Sequence, residues 1–220
     1  MTTQSRETPE QMSGRNEIVY VVNDNPETRA TICCYLEGAG LDTRACGSAA
    51  ECLNESAATP PCCAILDIEL PDMSGLDLQL ELAALGVPIV FVTAYSEVTA
   101  IVRALKAGAV DLLQPPLSRD NVLVAVNAAL DQYRRRRHAQ VTLVEVRNRR
   151  ARLTPRERQV MRLLVNGMMN KQIALDLGIS EVTVQIHRGR IMDKMRARSF
   201  AHLVRMAQTL ESSLDWEEFS

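Results

Sequence analysis

The 220-residue chain is long for one average domain and fits two small ones, and 46% hydrophobic residues exclude a disordered polymer. No apolar run reaches the roughly 18 residues of a membrane span, and the opening MTTQSRETPEQMSGRN has no apolar signal core, so a cytoplasmic protein is expected. The net charge of −2 hides a split: residues 1–130 hold 7 Lys+Arg against 17 Asp+Glu, and residues 131–220 hold 18 against 10. An acidic half joined to a basic one points to two tasks, with a polyanion as the second half's partner.

After a flexible polar tail (1–15), short apolar runs alternate with helix-like stretches. Ile18–Val22 reads as a first strand, and Pro26 at a helix N1 position follows it. That helix stops at Gly38 or Gly40, and Leu41–Cys46 is a weaker second strand. Ser48 caps a helix to about Ala57, Cys63–Leu66 is a buried strand, and Gly75 leads into a helix over 76–84. Pro88–Val92 is strand four, Glu97–Ala107 a helix, Val110–Leu113 strand five, and Ser118 opens a last helix. Five βα units predict a doubly wound α/β domain over 16–130, its parallel sheet covered on both faces.

The last helix has no obvious stop. It runs through Arg134–His138 into a basic stretch, 131–152, which would span about 33 Å as a helix. A solvated linker helix and a short coiled coil both fit. Thr154-Pro155-Arg156-Glu157 is a capping box with proline at N1, so a new helix starts there and ends at Asn166-Gly167. Asn170–Leu177 is closed by Gly178, Ser180 caps a helix to about Met195, and Ser199 one to about Leu210. Four helices in 153–210, two joined by Gly178-Ile179-Ser180, predict an all-α helix-turn-helix domain, with an acidic tail over 211–220.

All six cysteines (Cys33, Cys34, Cys46, Cys52, Cys62, Cys63) lie in the acidic half, and none forms a C-x-x-C. They read as reduced thiols packed as small apolar residues, with a redox sensor on Cys46 or Cys52 as the sharper alternative.

In a parallel sheet, chemistry gathers at the carboxyl ends of the strands. Asp24 follows strand one, Asp67 ends strand three and Thr93 ends strand four. Two carboxylates suit Mg²⁺, and one beside such a metal can attack a phosphoryl donor, with Thr93 bonding a phosphoryl oxygen. An isolated strand-end aspartate is more often a helix cap, but three converging polar ends are harder to explain so. Val21-Val22-Asn23-Asp24, Leu66–Gly75 with its D-x-x-x-P-x-x-x-G spacing, Val92-Thr93-Ala94 and Lys106–Ala109 resemble the receiver domain of two-component response regulators. The resemblance implies a flavodoxin-like fold with Asp67 as phosphoacceptor and Thr93 as switch hydroxyl. It implies Mg²⁺ held by Asp24, Asp67, the Glu69 backbone carbonyl and, through water, Asn23. Two positions depart from the family pattern. Asn23 replaces the first of two acidic residues, and Pro115 stands where a lysine precedes the family's proline, with the cis X-Pro bond then falling at Pro115-Pro116. Leu112 also replaces a frequent aromatic.

On the long basic-half helix, Val184, His187, Ile191 and Met195 share one stripe, and Val182, Gln185, Ile186, Gly189 and Arg190 the other face. A polar, small and basic face suits a major groove. Gln185 is placed to read an adenine edge, while Lys171, Arg188, Arg190 and Lys194 suit phosphates; Thr183 completes the expected interface. His187 reads as a packed core histidine. Leu153–Arg158, Gly167–Ala174 and Ile179–His187 resemble the LuxR-type DNA-binding domain, and the whole chain is similar to a FixJ/NarL-type response regulator. That likeness implies double-stranded DNA with a palindromic site, a sensor histidine kinase, RNA polymerase as a further partner, and a homodimer formed through Phe200, Leu203, Val204 and Ala207 of the final helix.

The rival readings are an enzyme and an interaction adaptor. No Gly-rich phosphate loop, G-x-S-x-G or metal-binding His cluster appears, so no catalytic activity is expected. A phosphorylation-independent regulator with a degenerate receiver is the alternative within the family.

Overall fold

The computed structural model describes residues 17–94 and 98–211; the expected tail at 1–15 lies outside them, as does all of the one expected at 211–220 except Glu211, which ends the last helix. The chain divides into two compact units, one through Arg136 and one from Arg137 onward.

In the first unit, β1 (Ile18–Val22), β2 (Asp42–Cys46), β3 (Cys63–Leu66), β4 (Ile89–Val92) and β5 (Asp111–Leu113) form a parallel sheet in the order β2-β1-β3-β4-β5. Side chains alternate across a strand, so each strand feeds two cores. Tyr20, Val22, Leu66 and Phe91 pack on one face with α2 (Ala49–Ala58), α3 (Gly75–Ala84) and α4 (Val98–Lys106). Val19, Val21, Ile65 and Val90 pack on the other with α1 (Pro26–Glu37) and the start of α5 (Arg119–Ala151). Burial on both faces explains why β1, β3 and β4 are unbroken apolar runs. Chain order reverses between β1 and β3, and that switch point sets the crevice at their carboxyl ends. The cysteines are all free thiols, with Cys46 and Cys52 both fully buried in the α2-side core.

Local signals set the helix starts. Asn25 Oδ1 accepts the Glu27 and Thr28 N–H groups, and the Ser48, Ser74 and Ser118 hydroxyls accept at the starts of α2, α3 and α5. α5 is one continuous helix of 33 residues. Its end is more than the solvated or coiled-coil spacer expected for 131–152, because Val146 is buried and Leu143 packs in the second unit's core.

That core gathers α6 (Pro155–Val165), α7 (Asn170–Leu177), α8 (Glu181–Met195) and α9 (Phe200–Glu211). The capping box forms: the Thr154 hydroxyl accepts the Glu157 N–H at 3.2 Å, and Glu157 Oε2 accepts the Thr154 N–H at 2.8 Å. Gly178 turns α7 into α8 at a left-handed φ of 64°. One expectation is corrected. Leu203 and Ala207 are not a dimerisation stripe; they are buried in their own domain's core. Of the four, Phe200 stays exposed and Val204 half-buried, because a small bundle consumes the apolar face of its last helix.

Candidate phosphoacceptor pocket and nucleic-acid interface

The crevice is built from the ends of β1, β3 and β4. Asp67 continues the ladder, its N–H bonded to the Val22 carbonyl at 2.9 Å. Asn23, almost fully buried, donates from Nδ2 to Asp67 Oδ2 at 2.8 Å and accepts the Asn25 N–H on Oδ1 at 2.9 Å. The Glu69 N–H donates to Asp67 Oδ1 at 3.3 Å, and the buried Thr93 hydroxyl also bonds this carboxylate. Burial raises the Asp67 carboxyl above its ordinary range; the Glu69 N–H and the Thr93 hydroxyl pull the other way, and the charge of Asp24 adds to the rise. Asp24 itself is exposed.

Three features hold this geometry. Gly75 tolerates no side chain, since a Cβ there would lie 1.8 Å from the Asp67 carbonyl oxygen. Its spacing from Asp67 is therefore a packing requirement. Asp72 accepts the Ala49 and Ala50 N–H groups at 3.0 and 2.7 Å, tying the Asp67 loop to the start of α2 and lowering its own carboxyl. Arg29 donates to the Asn23 carbonyl at 2.6 Å and bridges α1 to the β1 end. Sequence reasoning missed Arg29, Asp72 and the Asn23–Asp67 bond; the position of Arg29 near the start of α1 was the available signal for the first. Pro115-Pro116 is cis, and no ion pair to Asp67 forms among the described residues.

In the second unit, α8 buries Val184, Ile191 and Met195 and exposes Val182, Gln185, Ile186, Gly189 and Arg190. His187 is half-buried and its Nδ1 finds no partner among the described residues. Thr183 is half-buried, its hydroxyl 2.8 Å from that of Ser180 at the helix start. Lys171 on α7 is exposed. Two expected contacts are otherwise engaged. The Lys194 ammonium lies 2.6 Å from Oε2 of buried Glu157 on α6. Arg188 stacks on the Phe200 ring at 5.2 Å, which turns it toward α9. Neither commitment shows on a helical wheel, which knows nothing of neighbouring helices.

A family model for the response regulator receiver domain matches residues 19–127, and one for bacterial regulatory proteins of the luxR family matches residues 151–207. Nodulation protein W of Bradyrhizobium diazoefficiens is 44% identical over 91% of this chain and 89% of its own length. The chain is a transcriptional response regulator. Response regulator protein TodT of Pseudomonas putida is 36% identical over 93% of the chain and 91% of its own length, and the transcriptional regulatory protein FixJ of Azorhizobium caulinodans is 38% identical over 86% and 90%. Among solved structures, the response regulator StyR matches with a TM-score of 0.74 and 39% identity over 87% of this chain and 98% of that one. Full-length FixJ from B. japonicum matches at 0.53 and 30% over 89% and 98%. This response regulator thus joins a receiver domain to a LuxR-type DNA-binding domain, in a family of regulators not typically enzymatic. No described helix is long and apolar enough to cross a membrane.

Proposed function

We propose that Asp67 accepts a phosphoryl group from a sensor histidine kinase and that this modulates dimerisation and DNA binding by α8. The observation that carries the reading is the Asp67 carboxylate, held by Asn23, Thr93 and the Glu69 N–H at the β1/β3 switch point. An Asp67 oxygen attacks phosphorus on the kinase phosphohistidine; the O–P bond forms as the P–N bond breaks and the histidine keeps the electron pair. Thr93, already on the carboxylate, is placed to bond a phosphoryl oxygen.

The donor set fits Mg²⁺. Asp24 and Asp67 are hard oxygen donors close enough for the charge of one to raise the carboxyl of the other, a repulsion that a divalent cation relieves. Asp24, Asp67, the Glu69 carbonyl and Asn23 through water would hold it. When bound, it would neutralise phosphoryl charge. The departures at Asn23 and Pro115 remove one negative and one positive charge from the family pattern, so the net charge of the site is conserved. The lost lysine still forfeits a charge-assisted contact worth about 1.5–3 kcal/mol to the phosphorylated state. That is a large part of the few kcal/mol separating two conformations, so coupling to output is weak. Pro115 in the place of the family's lysine is what favours the second reading, a phosphorylation-independent regulator.

On DNA, Val182, Gln185, Ile186, Gly189 and Arg190 face the major groove, with Lys171 on a phosphate, and Thr183 near the groove edge. Phe200 and Val204 are what α9 retains for a second copy on a palindromic site, with RNA polymerase the next partner at a promoter and the cytoplasm the place of action. The test compares DNA binding of wild type and Asp67→Asn with and without acetyl phosphate and Mg²⁺. Tighter binding by phosphodonor-treated wild type alone supports the proposal; four equal affinities assign the receiver to a constitutive scaffold.

A further inference from the structure

We infer that Arg135 and Arg136 of α5 form a second, sequence-independent contact to the DNA backbone, outside the helix-turn-helix. The inference rests on the DNA-binding reading and extends it to a helix that precedes that domain.

The segment 131–152 carries 8 basic and 2 acidic residues, and most of its arginines have structural employment. Arg134 bonds both oxygens of Glu17, at 2.8 and 2.6 Å, and Asp131 at 2.9 Å. Arg149 pairs with Glu145 at 2.7 Å, and Arg150 is half-buried, its pKa depressed by burial and by neighbouring Arg158. Arg135 and Arg136 are exposed and make no hydrogen bond or ion pair among the described residues.

Their surroundings leave them uncompensated. Helix neighbours sit three and four residues away, and around Arg136 those positions are Gln132, Tyr133, Ala139 and Gln140. Arg135 has Asp131 at that spacing, but Asp131 Oδ1 is taken by Arg134. Two bare guanidinium groups therefore project into solvent from a helix whose later turns, through Leu143 and Val146, build the core of the DNA-binding domain.

A second copy of α5 is the poorer partner. Val141 and Val144 are its exposed apolar residues here, 54% and 48% accessible, and a coiled-coil seam needs apolar residues sustained over several heptads. Continuing such a seam toward the N-terminus would set arginines against the same arginines. A polyanion whose phosphates take each charge separately fits the pattern, and the DNA-binding domain already implies one.

The experiment measures affinity of the full chain for a long random-sequence duplex as a function of salt, for wild type, Arg135→Gln/Arg136→Gln and Arg135→Lys/Arg136→Lys. Each lost phosphate contact flattens the slope of log K against log salt by about 0.9, so the glutamine variant should be shallower by about 1.8. Between about 50 and 200 mM salt, wild type then loses about tenfold more affinity than that variant. The lysine variant keeps the wild-type slope, since phosphates read charge, and unchanged melting temperatures certify the fold. A glutamine variant with the wild-type slope overturns the inference while leaving the DNA-binding reading intact. Absence of any wild-type binding at about 50 mM salt overturns both. Loss of binding to phosphatidylglycerol vesicles, with the duplex slope unchanged, assigns the arginines to a membrane surface and overturns it too.

Discussion

Replacing Asn23 by aspartate perturbs the crevice where its unusual chemistry is concentrated. In the wild type, Asn23 Nδ2 donates to Asp67 Oδ2 at 2.8 Å. Asn23→Asp removes a hydrogen bond to a charged acceptor, worth about 1.5–3 kcal/mol, and installs a like charge beside it. Two carboxylates about 4 Å apart at an effective dielectric of about 20 repel by about 4 kcal/mol, part of which half-buried Asp67 releases by side-chain movement. The expected metal-free loss is about 2–3 kcal/mol, or about 8–12 °C in the melting temperature of a domain this size. Oδ1 can still accept the Asn25 N–H, so the β1 end keeps its turn. Mg²⁺ reverses the effect, because a third carboxylate now faces the cation. If the cation recovers the whole penalty, its affinity tightens about 30- to 150-fold. Denaturant unfolding of both proteins across a Mg²⁺ titration measures both quantities. Equal metal-free stabilities with the same Mg²⁺ dependence would refute the assignment of Asn23 as the neutral partner of Asp67.

Other consequences follow from single contacts. Glu157→Ala strips the partner from Lys194 and removes half of the capping box, costing about 2–3 kcal/mol after discounting for the partly exposed lysine. Burial pushes the Glu157 carboxyl up, but Lys194 and the Thr154 N–H outweigh it, and the net shift is downward. Its contribution is thus complete above the unfolded carboxyl range near about 4.3 and is lost as pH falls through the lower folded value, a decline missing from Glu157→Ala unfolding curves. Gly75→Ala forces the Asp67 loop apart, since its Cβ would sit 1.8 Å from a backbone oxygen; a loss above about 3 kcal/mol by chemical denaturation is expected. Lys171→Gln should weaken binding equally across sequences and flatten the salt slope by about 0.9, while Gln185→Ala should cost about 1–3 kcal/mol at one base pair, separable by binding to a mismatch series.

How legible these features are depends on how local their causes are. The strand ends stand out because runs buried on both faces stop abruptly at Asn23, Asp67 and Thr93. The Thr154–Glu157 box and the Gly178 turn are visible for the same reason: each is completed within a few residues. The Asn23–Asp67 bond spans 44 positions and the Glu157–Lys194 pair 37, so neither is written in any local pattern. The misreading of Leu203 and Ala207 is instructive. Periodicity identifies the apolar face of a helix but not what covers it, and a 60-residue bundle needs that face for itself. Lys194 makes the same point: a cation on α8 looks wholly uncommitted until the buried carboxylate on α6 that pairs with it is seen.

The central claim is that Asp67 is the phosphoacceptor of a DNA-binding regulator. Its most direct test is mass spectrometry of the full chain after incubation with acetyl phosphate and Mg²⁺. The account predicts one added phosphoryl group on the peptide carrying Asp67, dependent on Mg²⁺ and absent from Asp67→Asn. An unmodified wild type, or a phosphoryl group retained in Asp67→Asn, would contradict it.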